Sequence, residues 1–110
     1  TSVLFHYKRY WGVGGNPADS VDSTFLLALA GSELGDSKAK TFTVNAAAGQ
    51  YIWYAIPHSF GTPTFKVGGF EGGFNLVKTF DHTNASGATV SYDVWQSTNA
   101  GLGNTTVNAA

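Results

Sequence analysis

From Lys40 hydrophobic and polar positions take up a period of two, the pattern of a half-buried β-strand. In Thr41-Phe42-Thr43-Val44-Asn45 the apolar Phe42 and Val44 alternate with polar neighbours. The opening Val3 to Trp11 is rich in β-formers and predicts a strand ending at Gly12, Gly14 and Gly15, with a turn at Asn16-Pro17. After a turn over Ala46 to Gly49, the segment Gln50 to Pro57 is apolar on both faces. Tyr51, Trp53 and Ala55 point one way and Ile52, Tyr54 and Ile56 the other. Such a strand sits centrally and is covered on both sides, or gives one face to a partner subunit.

One stretch reads as a helix instead. Phe25, Leu26, Leu29 and Leu34 fit a helical stripe loosely, so a short helix is predicted over Thr24 to Leu34, capped by Asp22 or Ser23. Gly31 and Gly35 shorten or break it.

Beyond Pro57, Thr64 to Val67 reads as a short strand. The glycine-rich connector Gly68 to Phe74 follows, with Phe70 and Phe74 expected to pin it to the core. Leu76 to His82 and Ala88 to Trp95 make a hairpin around Asn84-Ala85-Ser86-Gly87. Val90, Tyr92 and Val94 share one face of its second strand; Ser91, Asp93 and Trp95 share the other. A polar loop, Ser97 to Gly103, leads to a last strand over Asn104 to Val107. Six to seven short strands and one short helix predict a mainly β, antiparallel β-sandwich-like domain, or an open barrel, over residues 1–110.

Composition narrows the function classes. Six basic against seven acidic residues, with no basic run, remove the electrostatic footprint of a nucleic-acid binder. The absence of cysteine removes disulfides, thiolate metal sites and cysteine nucleophiles. No apolar run approaches the roughly 20 residues of a membrane helix, so no membrane insertion is expected. No secretory signal pattern and no initiating Met are present, and the chain is expected to be processed or cut from a longer protein.

Local motifs for catalysis are missing. The glycines at 12–15 and 68–73 have neither dinucleotide-fold nor Walker spacing. His6, His58 and His82 lie far apart and show no metal-ligand spacing, and solvated or hydrogen-bonded imidazoles are expected. Asp81 and His82 are adjacent and therefore face opposite ways. Ser59 follows His58, but no nucleophile elbow surrounds it. Glu33, Glu71, Asp81 and Asp93 supply carboxylates without a defining spacing. No catalytic residue, metal or cofactor is expected.

The aromatics carry a second signal. Trp11, Trp53 and Trp95, with Tyr51, Tyr54 and Tyr92, either build a platform for sugar rings or fill the core or a subunit interface. Trp95, which shares its face with Ser91 and Asp93, is the aromatic expected to be exposed. Loops at one end of a sandwich carry its binding surface. The candidate ligand-binding residues are accordingly His58, Ser59 and Phe60 in one turn, with Trp95, Gln96 and Asn99 at the polar loop. Their rings and amides suit a neutral sugar.

From Lys40 to Val107 the motifs run in order: Lys40-Thr41-Phe42-Thr43-Val44-Asn45, Gly49-Gln50-Tyr51-Ile52-Trp53-Tyr54-Ala55-Ile56-Pro57, Gly61-Thr62-Pro63-Thr64-Phe65-Lys66-Val67-Gly68-Gly69-Phe70-Glu71-Gly72-Gly73-Phe74, Thr83-Asn84-Ala85-Ser86-Gly87, Tyr92-Asp93-Val94-Trp95 and Leu102-Gly103-Asn104-Thr105-Thr106-Val107. This run, about two-thirds of the chain, resembles the small β-module of tailed-bacteriophage virion proteins, particularly tail fibres and other appendages. The resemblance implies a non-catalytic virion module, distal on a tail fibre or spike. It would contact a bacterial surface glycan or protein receptor and other virion proteins, and assemble as a homotrimer. A purely structural docking domain and a carbohydrate-binding module of a secreted enzyme are the competing expectations.

Overall fold

The computed structural model describes residues 6–15 and 17–110. Among these, nine strands and one α-helix form three layers. The strands are β1 (Lys8–Gly14), β2 (Gly31–Leu34), β3 (Lys40–Ala46), β4 (Tyr51–Pro57), β5 (Phe65–Val67), β6 (Phe70–Glu71), β7 (Phe74–Thr83), β8 (Thr89–Ser97) and β9 (Gly103–Ala109). Helix α1 spans Ser23–Ala28. One antiparallel sheet has the order β2-β1-β4-β8-β7 and the other β3-β9-β5-β6.

The sandwich-like β fold with one short helix is the architecture expected. The strand count rises from six or seven to nine because Gly31–Leu34 and Phe70–Glu71 are also strands. The predicted helix over 24–34 is therefore too long. Asp22 caps it by accepting from the Phe25 N–H at 3.0 Å, but it ends at Ala28, and the chain from Gly31 pairs with β1. Extended pairing along four residues outweighs a helical stripe that two glycines already weaken. Of the Val3–Trp11 strand, Val3 to Phe5 lie outside the described residues, and the ladder continues through Gly12 to Gly14. Gly12 suits the close crossing there, because a Cβ on it would lie 3.0 Å from the Ala30 nitrogen, a tight contact.

The two-sided strand β4 is the middle strand of the larger sheet. On one face Trp53 and Ala55 join Tyr10, Tyr92, Val94 and the helical layer of Val21, Phe25, Leu26 and Leu29. On the other, Ile52, Tyr54 and Ile56 meet the second sheet through Phe42, Phe65, Val107 and Ala109. The apolar burial on both sides is the main force assembling the layers. Arg9 ties down the following loop. It donates to the Ser37 and Ala39 carbonyls at 2.8 and 2.9 Å and pairs with Glu33, which also holds Lys40 at 2.8 Å. The Lys40 hydrogen bond, with Arg9 beside it, keeps the Glu33 carboxyl below the usual carboxylate range.

Two aromatics depart from expectation. Phe74 anchors its connector, stacking on Phe65 at 4.2 Å, whereas Phe70 is 80% exposed. Trp95 is buried in the inter-sheet core, 5.5 Å from the Phe65 ring, and is not an exposed aromatic. Its face is polar in sequence but covered in space by the second sheet.

Candidate functional site

The site begins where β4 ends. Pro57 closes the strand, and His58–Phe60 form one turn of 3₁₀ helix. The ladder between β4 and β8 sets Ile56 opposite Asp93, and that between β7 and β8 sets Thr79 opposite Asp93. Asp93 is buried, and its carboxylate accepts from two donors. The His58 Nδ1–H lies 2.9 and 3.0 Å from its two oxygens, and the Thr79 hydroxyl donates at 2.8 Å. A buried carboxylate held by donors is stable where a lone one is not. Its position fixes the imidazole ring, with Nδ1–H turned inward and Nε2 outward.

The His58 side chain remains 66% exposed on a cleft of about 310 Å3, lined also by His6, Tyr7, Ser59, Thr89 and Ser91. Phe60 is half-buried and meets the Tyr7 ring edge-on at 5.6 Å, so it braces the cleft from behind. The cleft thus offers one oriented imidazole nitrogen, several hydroxyls and an aromatic ring. No hydroxyl among the described residues is hydrogen-bonded to the outward nitrogen, and Ser91 gives its hydroxyl to Asp81 at 2.6 Å. The chemistry on offer is recognition of hydroxyl-bearing ligands.

The six residues expected to form one site do not come together. His58, Ser59 and Phe60 follow the C-terminal end of β4. Gln96 pairs with Trp53, and the loop after β8 donates the Gly101 N–H to the Gln50 carbonyl at the N-terminal end. The antiparallel ladder therefore places the two groups at opposite ends of a seven-residue strand, roughly 20 Å apart. Gln96 is half-buried, Asn99 is exposed, and Trp95 has left the surface. Sequence reasoning missed Asp93, Thr79, Tyr7 and Ser91. The strand register brings Asp93 and Thr79 together beside His58, 35 residues before Asp93.

His82 also differs from expectation. It is buried beside Tyr10 and Tyr92, and neither ring nitrogen has a hydrogen-bond partner. Burial holds its pKa below the ordinary value of 6.5. The unfolded chain therefore takes up a proton near that value while the fold still refuses it. His82's contribution to stability is full above about pH 6.5 and is lost as pH falls from there to the lowered folded pKa. Thermal melts from about pH 7.5 to 4.5 should show this acid limb in the wild type and a shallower one in His82→Phe. Identical profiles would refute it.

No protein-family model matches the chain, and neither a curated protein nor a solved structure was found that matches it.

Proposed function

We propose that this domain is a non-catalytic attachment module of a tailed-bacteriophage virion, on a tail fibre or spike, and that it contacts the bacterial surface by binding sugar hydroxyls in the His58 cleft. The observation that carries the reading is the exposed imidazole oriented by a buried carboxylate. Asp93 restrains the rotation of His58, so less entropy is lost when a ligand hydroxyl hydrogen-bonds to Nε2. Tyr7 gives an apolar wall, and Ser59 and Thr89 give hydroxyl partners. The motif run from Lys40 to Val107 supports the virion setting. One such contact is weak, about 1 mM, and several copies on a homotrimeric fibre raise it by avidity.

The test compares a multimerised wild-type domain with multimerised His58→Ala on a glycan array and on whole cells. Melting is measured alongside, because the variant takes one donor from buried Asp93. A folded His58→Ala should lose at least about tenfold in binding, equivalent to 1.4 kcal/mol. Equal binding would remove the cleft from the site. No binding by the multimerised wild type would favour a structural docking domain.

A further inference from the structure

At the other end of the sandwich, the turn Gly68-Gly69 has φ of 59° and 88°, conformations that glycine adopts without a steric cost. It folds β6 back on β5, setting Phe70 opposite Val67 and Glu71 opposite Lys66. Gly72 and Gly73 then turn the chain into β7. This tight hairpin needs nothing apolar at position 70. The cross-strand contact with Val67 still leaves Phe70 80% exposed, the most exposed of the large hydrophobics in the described residues. Leu102, 39% exposed, comes beside it from the loop after β8. Between them lies a hollow of about 290 Å3 that Asn99 and Glu71 also line. The Asn99 side-chain amide has no hydrogen-bond partner and Glu71 no ion pair among the described residues.

We infer that this hollow is a second carbohydrate site, taking the apolar face of a neutral pyranose on Phe70. A sugar ring has one face of C–H groups, which pack on the negative face of an aromatic ring, and a rim of hydroxyls. Phe70 and Leu102 meet the first requirement. Asn99 both donates and accepts, and Glu71 accepts from two hydroxyls. The charge decides between ligand classes. Glu71 is the one charge lining the hollow, with Lys66 its cross-strand neighbour outside the lining, so the lining offers no cationic group to hold an acidic sugar or an anionic lipid surface. The site lies at the opposite end of the sandwich from His58, so the domain can bridge two sugars of one polymer or of neighbouring chains.

The experiment is a titration of the isotope-labelled chain, followed by amide NMR, with methyl β-glucoside, methyl β-galactoside and N-acetylglucosamine in turn. At least one should move the amides of Phe70, Glu71, Asn99 and Leu102 saturably, with a dissociation constant around 1 mM. Phe70→Ser should keep the wild-type melting temperature and weaken this binding at least about tenfold. No saturable shift at these amides with any of the three up to about 50 mM would overturn the site. So would shifts that survive Phe70→Ser, or shifts at the same amides that follow protein concentration without sugar, which would assign the patch to a second copy. The amides of Ser59 and Ser91 report the His58 cleft separately, so either site fails without the other.

Discussion

Trp53→Ala is expected to destabilise the fold by about 3–5 kcal/mol, the range for truncating a core aromatic. Trp53 has no exposed surface, sits 4.7 Å from the Phe25 ring, and donates its indole N–H to the Gly14 carbonyl at 3.1 Å. It joins the helical layer to the middle of the larger sheet, so its loss opens a void between two layers. A domain of this size holds about 5–15 kcal/mol in all, and the change takes a large share of it. The melting temperature should fall by roughly 10–25 °C. A shift of only a degree or two would mean that the helix does not cover this face.

That burial was legible because Gln50 to Pro57 carries apolar residues on both faces, a pattern that buries both of them, within the fold or against a partner subunit. The two faces of β8 were also legible, but not what covers them. Ser91 and Asp93 made the Trp95 face look wet. Asp93 is instead buried with partners on two other segments, and Ser97 donates to the Asn99 carbonyl while accepting from the Ile52 N–H. A polar residue signals solvent only when its partners are absent, and here the partners arrive through long-range register. The same limit hid the site: His58-Ser59 reads as a turn after Pro57, but nothing local ties it to Asp93. Strand β2 was hidden differently, since Leu29 and Leu34 fit a helix spacing until the chain finds β1.

Trp95→Ala should cost as much as Trp53→Ala, about 3–5 kcal/mol, through stability rather than ligand contact. Trp95 fills the inter-sheet core against Phe65, with 9% of its surface exposed. The two tryptophans should part company when an aromatic ring is kept but the indole N–H is removed. The Trp95 indole nitrogen is buried without a partner, a standing penalty of about 1–3 kcal/mol that Phe does not carry. Trp95→Phe exchanges that relief against a small loss of ring volume and should be nearly neutral. Trp53→Phe loses a formed hydrogen bond to Gly14 along with volume, and should be clearly destabilising. Urea unfolding of the four variants tests both placements at once. Equal costs for the two Phe variants would mean that the Trp95 nitrogen has found a partner, and a silent Trp95→Ala would return that ring to the surface. Because Trp95 reaches neither the His58 cleft nor the Phe70 hollow, Trp95→Phe should bind sugars as the wild type does.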